Sequence, residues 1–314
     1  MLVRFLGFAT QLKDITKDSP LSMDAFISRL MTNSDKETMI GEHGRFLYVK
    51  KDHHKEYYVG LLITVKDQKK FCELARNGGK LAIKVKDVSE ESKIMDFNFF
   101  VIHKKTGFGM YQHYHQSCSA NSFGHILTSR FVDYRKSSIE TEIEKIPTIK
   151  KSSSKEKEIR KQYAGRMEWS ILVKKENIGK LMKDLDEIKS FEYSFLYLDT
   201  DESEFEPLKD YVRKEQKKMS FVSKSPVKMI ANAVQKFASS HDIDEGKILG
   251  LDVEGHQRIY RITNNPDNFG EFEYDTVADK INSLDIDEFE KSWVVSELIN
   301  KCKVHAHIFE AKAK

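Results

Sequence analysis

Cysteine is scarce in this 314-residue chain, and Cys72, Cys118 and Cys302 are odd in number and far apart. Such a set excludes a disulfide framework and fits reduced thiols in a cytosol. Long apolar runs are missing as well. No stretch approaches the roughly 20 apolar residues that span a bilayer, and a mean hydropathy of −0.54 with 32% charged residues excludes an integral membrane protein. No small-residue cleavage site follows the opening MLVRFLGFATQLKD, where acids come at once, so it reads as a first strand rather than a signal peptide. CxxC, HExxH, a Walker loop, GxGxxG and GxSxG are all absent, and with them the usual signatures of zinc, nucleotide and hydrolase chemistry. No repeat of about 20–50 residues is present.

What remains is enough to fold. The chain is 39% hydrophobic and 11% aromatic, which excludes global disorder, and its length suits about two cores of roughly 100–200 residues. Charge divides it further. Residues 1–165 carry 29 Lys+Arg against 20 Asp+Glu, whereas residues 166–314 carry 23 against 29. A net excess of +9 followed by −6 suggests that part of the surface meets a polyanion.

The expected fold class is α+β in two domains. A strand-rich domain over 1–149 precedes a charged linker over 150–165, whose core is KKSSSKEKEIRK, and a second α+β domain over 166–314. In the first, Arg45–Lys51 and Glu56–Val65 form a hairpin around Asp52-His53-His54, and Phe97–His103 and Gly107–His115 form another across Lys104-Lys105-Thr106-Gly107. Asp24–Met31 is a short helix capped by Ser22. Lys69–Arg76 reads as a helix on Phe71, Cys72 and Ala75, and Leu81–Val88 as a strand. In the second, strand Met167–Val173, helix Glu176–Ile188 and strand Phe191–Leu198 make a βα unit whose second strand crosses over or pairs elsewhere. Phe205–Met219 reads as a charged helix, and Lys228–Ser239 as one with Met229, Ile230, Ala233 and Phe237 inward. Lys247–Val253 and Gln257–Ile262 bracket a third turn. Ile286–Ile308 closes the chain as a long helix with Phe289, Trp293, Val294, Leu298 and Ile299 on its apolar face, where a homodimer contact is expected.

Three segments offer chemistry. Gln112–His125 holds His113, His115, Cys118 and His125, acceptable zinc ligands at a spacing that matches no zinc motif. The tripeptide E-x-K occurs at Glu187, Glu215 and Glu310, none cleanly on an expected strand, so catalytic residues are not assigned. The third is a cationic run. Lys209, Arg213 and Lys217 are spaced by four and would share a helix face. Lys214 and Lys218 stand beside them, and Lys224 and Lys228 continue the charge around Pro226. Lysine acts as a point charge that releases counterions from phosphate without reading bases.

The runs FLYVKKDHHKEYYVGLLITVKDQKKF, NFFVIHKKTGFGMYQHY and SFLYLD through GKILGLDVEGHQRIYRI resemble, in order and spacing, the lambdoid phage exclusion protein RexA family. The resemblance covers most of the chain in order and length, with sparse identities and no signature motif. It implies a homodimeric, sequence-nonspecific DNA-binding protein acting in abortive infection or superinfection exclusion; a separate effector protein is a further expected partner. The expectation is therefore a cytoplasmic protein that grips double-stranded DNA by its phosphates through the Lys209–Lys228 run, aided by Lys104 and Lys105, with no cofactor and no membrane insertion. The alternatives are a metal-dependent nuclease effector centred on His113, His115 and Cys118, and a sensor module that touches no nucleic acid.

Overall fold

Side chains two apart share a face of a pleated strand, and the first residues obey that rule. The structure, a computed structural model, describes the chain except residues 35, 41–42, 67, 78–79, 90–92, 148–152, 175–176, 196–214, 241–242, 244, 264–267 and 311–314. Strand β1 (Leu2–Lys13) sends Val3 and Phe5 into one apolar cluster and Phe8 into another. Helix α1 (Met23–Met31) begins where the Ser22 hydroxyl accepts the Ala25 N–H at 3.1 Å, and it buries Phe26, Ile27 and Leu30. Strands β2 (Thr38–Ile40), β3 (His43–Lys50) and β4 (Tyr57–Lys66) follow as an antiparallel meander, which contains the first expected hairpin.

The next segment departs from expectation. Phe71 and Cys72 lie in a strand, not a helix: β5 (Lys70–Asn77) pairs along its length with β6 (Lys80–Asp87) as a separate two-stranded ribbon. Ladder pairing with a neighbour outweighs the helical spacing of three apolar residues. Strands β7 (Ile94–His103) and β8 (Phe108–Tyr114) make the second hairpin. Gly107 closes it at φ 72°, where a Cβ would lie 2.0 Å from the Thr10 carbonyl oxygen. Helix α2 (Ala120–Glu144) then starts at the Ser119 cap and buries Phe123, Ile126, Leu127 and Phe131. The segment expected as a linker contains α3 (Ser153–Gln162), a helix with no buried residue.

Strand β9 (Arg166–Lys174), helix α4 (Ile178–Met182) and strand β10 (Glu187–Phe195) realise the βα unit with a much shorter helix. Where the charged helix was expected, residues 215–220 form strand β11 (Glu215–Ser220), and 205–214 lie outside the described residues. Helix α5 (Val227–Ser240) buries Ala231, Val234 and Ala238. Ile230 and Phe237 pack against the same core as expected, whereas Met229 is 71% exposed and Ala233 is exposed too. Strands β12 (Glu245–Leu251) and β13 (Gln257–Thr263) form the third hairpin. The chain ends in β14 (Glu271–Glu273), α6 (Tyr274–Lys280), a 3-10 turn over Ile286–Lys291, α7 (Trp293–Val304) and α8 (Ala306–Phe309). The long terminal helix is thus broken twice. The Ser292 hydroxyl caps α7 by accepting the Val295 N–H at 3.3 Å, and His305, at φ −106°, ends it.

One 12-stranded sheet runs through both halves in the order β11-β10-β12-β13-β9-β1-β8-β7-β4-β3-β2, with β14 beside β1. Strand β10 pairs away from β9, which lies parallel to β13. On one face α1 and α2 cover Phe8, Phe100 and Tyr111, and α4 and α5 cover Phe191, Ile248 and Ile262. On the other, α7 and α8 set Val294, Leu298 and Phe309 against Val3, Phe5, Val59 and Phe99. The apolar face of α7, on which a dimer contact was expected, is covered by the chain's own strands. Beyond β9 that second face carries no helix among the described residues. Among the described residues no helix is long and apolar enough to cross a membrane.

Leu298 is fully buried between α7 and the N-terminal strands. Leu298→Ala is expected to lower the unfolding free energy by about 3 kcal/mol in a denaturant titration. A loss below about 0.5 kcal/mol, the size of an ordinary surface change, would show that α7 does not hold those strands.

Candidate nucleic-acid interface

Adjacent residues of a strand point to opposite faces, so Lys217 and Lys218 on β11 cannot share one side as they would on a helix. Each meets a carboxylate. Lys217 Nζ lies 3.2 Å from Glu215 Oε1, and Lys218 Nζ lies 2.7 Å from Glu192 Oε1 on the neighbouring strand. Lys189 does likewise with Glu187 at 2.7 Å. Two of the three E-x-K tripeptides therefore stand on strands, against expectation, each with its lysine bound to its own glutamate. Lys209, Arg213 and Lys214 lie outside the described residues.

Lys224 and Lys228 behave differently. Both are exposed, and neither has an ion-pair partner among the described residues. Lys224 sits at φ 62° in the turn after β11, a conformation that a non-glycine residue adopts only when its surroundings impose it. Its N–H donates to Glu187, which the Lys189 ammonium and the Ser223 hydroxyl also hold below the usual carboxylate range. Helix α5 begins at once, with no acidic residue in its first turn and Met229 and Ile230 N–H groups bonding to the Pro226 carbonyl. The positive end of the helix dipole thus lies between two ammonium groups. Lys104 and Lys105 stand elsewhere, on the β7–β8 turn. Lys104 donates to the His54 carbonyl at 2.9 Å and lies 5.3 Å from the Tyr58 ring centre, while Lys105 is exposed.

The second face of the sheet beyond β9 carries charge of both signs. Strand registers place Lys218, Glu192, Lys247 and Arg261 opposite one another in sequence across four strands. Arg261 reaches Ser170 Oγ at 2.9 Å, Gln11 Oε1 at 3.1 Å and Glu168 Oε1 at 3.2 Å. Lys247 holds both oxygens of Glu168 at 2.9 and 2.8 Å. Burial works to raise the Glu168 pKa, but Lys247 and Arg261 overcome it and hold the carboxyl below its ordinary value. These cations are neutralised inside the fold, so the face is a ladder of ion pairs rather than an anion site.

A cavity of about 240 Å³ opens between α2, β9 and β13, against His125, Thr128, Trp169 and Arg258. Gly124 admits the indole, since a Cβ there would lie 2.4 Å from Trp169 Nε1. Arg258 pairs with Asp252 and lies 3.2 Å from His125 Nε2. Burial, then Arg258 and His256, hold the His125 pKa down. The Thr128 hydroxyl donates back to the Gly124 carbonyl at 2.9 Å, so it forms no nucleophile–base pair with His125.

The cluster weighed as a metal alternative does not converge among the described residues. The Cys118 thiol is buried in the α2-side core, where burial pushes its pKa up, and it points to the Ser119 carbonyl at 3.7 Å. Burial, then His115 and Arg4, keep the His113 pKa low, and His115 is exposed. Among the described residues the three ligand-type groups that do gather within 4.8 Å are Asp252, Glu254 and His256. There Asp252 Oδ1 already accepts the Glu254 and His256 N–H groups at 3.0 and 2.8 Å. That is a turn motif.

The Glu168 network was missed in the sequence. The available signal was the polar pair Glu168 and Ser170 on one face of MEWSILV, but the partners lie 79 and 93 residues away. No family model matches the chain, and no curated protein matches it either.

Glu168→Gln would leave Lys247 and Arg261 without their shared counter-charge, and a loss of about 2–4 kcal/mol is expected in denaturant titrations at neutral pH. Because the folded carboxyl titrates below its unfolded value, its contribution is present above the ordinary carboxylate range and vanishes as pH falls through the lowered pKa. Wild type and variant stabilities should therefore converge in acid, and a gap that persists there would refute the assignment.

Proposed function

We propose that this chain binds double-stranded DNA through its phosphate backbone with little sequence preference, in the cytoplasm, as a phage-exclusion protein of the RexA type. The observation that carries the reading is the bend from Lys224 to Lys228, two exposed ammonium groups at the positive end of α5. Phosphate suits that end of a helix, because free N–H groups and the dipole both favour an anion. Lysine there supplies charge without a bidentate grip on guanine, which accounts for the lack of sequence preference. Lys105 adds an exposed cation from another turn. Lys217, Lys218 and Lys104 contribute less, since each already bonds within the fold. With the apolar face of α7 covered by the chain's own strands, the homodimer rests on the family resemblance.

Binding of a random duplex, followed by fluorescence anisotropy, is expected to weaken steeply between about 50 and 200 mM salt. Replacing Lys224 and Lys228 together with alanine should reduce the log–log salt slope by about 2 and weaken unrelated sequences alike. An unchanged slope would overturn the placement at the bend.

A further inference from the structure

Strands β4 and β7 are neighbours in the sheet and pair as far as Lys66 and Ile94. The chain between them does not join the sheet. It forms the β5–β6 ribbon, in register from Lys70 opposite Asp87 to Asn77 opposite Lys80, with the Val88 N–H bonding to the Lys69 carbonyl at 2.8 Å. Eight residues at about 3.4 Å each make an arm roughly 27 Å long. Neither long edge is paired among the described residues. Ile83 is 76% exposed and Val85 56%, and being two apart they share a face, opposite that of Lys84. Cys72, in register with Val85, is exposed beside them.

A lone hairpin of this kind is marginal in water, and an exposed edge invites aggregation. Lysine on an edge strand guards against that, but the guard requires no exposed isoleucine and valine in a row. Over residues 69–87 the chain carries six Lys and Arg against two Asp and Glu, a complement to polyanion rather than to a second copy of the same ribbon. The major groove of duplex DNA, about 12 Å wide, admits a two-stranded ribbon, and its floor offers apolar thymine methyl groups.

We propose that the β5–β6 ribbon is a DNA-binding arm that enters the major groove, with Ile83 and Val85 against the groove floor and Lys84, on the outer face, reaching the phosphates at the groove rim. This rests on the DNA-binding reading and adds a second contact remote from the Lys224–Lys228 bend. The lysine acts by counterion release, so it depends on salt; the apolar pair does not.

The test uses the full chain and a random duplex of about 30 base pairs, read by anisotropy at about 50 and 200 mM salt. Lys84→Glu is expected to weaken binding on the order of fivefold and to lower the salt slope by about 1. The double variant Ile83→Ser, Val85→Ser should weaken binding on the order of threefold with the slope unchanged, and should cancel a preference of wild type for thymine over uracil in the duplex. All three positions are exposed, and circular dichroism checks that the fold is kept. If both variants bind as wild type while the Lys224, Lys228 variant is weakened, the arm is refuted and the DNA reading stands. If wild type fails to bind duplex at the lower salt, both fall. If the apolar double variant instead turns a dimer into a monomer in sedimentation, with DNA affinity unchanged, the ribbon joins two copies and the proposal is overturned.

Discussion

Strand β1 is hydrogen-bonded on both edges, to β8 through Val3–Ala9 and to β9 through Phe8–Lys13, and everything else hangs on that double pairing. It makes one sheet of strands that lie more than 150 residues apart in the chain, with Phe8 opposite Ile171. It also sets the two faces. Residues of β1 on one side meet α7 and α8, those on the other meet α1 and α2. The indole of Trp169 stacks on Phe8 with ring centres 4.4 Å apart and meets Phe123 of α2 edge-on. Through those three rings the second half is packed against the first as well as hydrogen-bonded to it.

Among the described residues the helices that cover the second face stop short of β9, and the strands beyond it must solve a solvation problem without them. They do so with charge. Glu168 is 6% exposed, and a carboxylate at that depth is tolerated only when cations and donors replace water; Lys247 and Arg261 supply them. The acidic excess of residues 166–314 is thus partly consumed as counter-ion to lysines and arginines on the same strands. A basic run in the sequence becomes a basic surface only where no carboxylate stands opposite in register, and β10 puts Glu192 opposite Lys218. The turn after β11 escapes because it leaves the ladder.

The same distinction explains what could be read from the chain alone. The three hairpins and the Ser22-capped helix were legible because turn residues, alternation and a cap are local, and each agreed with its neighbours. The β5 segment was not, since Phe71, Cys72 and Ala75 fit a helix until Lys80–Asp87 is available to pair. Nor was α2, whose serines and threonines dilute the apolar stripe from Phe123 to Phe131; Thr128 and Ser138 turn their hydroxyls back to carbonyls of the same helix. The Lys209–Lys217 stripe assumed a period of 3.6, and at Lys217 the period is 2. Of the candidate site, the exposed bend around Pro226 was visible as sequence, whereas the fate of each cation depended on strand order, which no local pattern encodes.

Strand order also bears on how two basic elements could serve one ligand. The Lys224–Lys228 turn follows β11 at one end of the path, and the ribbon springs from β4 and β7 near the other, with seven strand spacings from β11 to β7. At about 4.8 Å per spacing that is roughly 34 Å across the strands, and the two also leave from opposite strand ends: the registers carry Ser220 level with His103 and Tyr57, whereas the ribbon leaves beyond Lys66 and Ile94. Groups that far apart share no partner, so their contributions to binding should add. Neither can relieve the loss of the other by rearranging. The sheet pinned at its centre by β1 would then act as the spacer, holding the two elements diagonally across it and farther apart than that span alone.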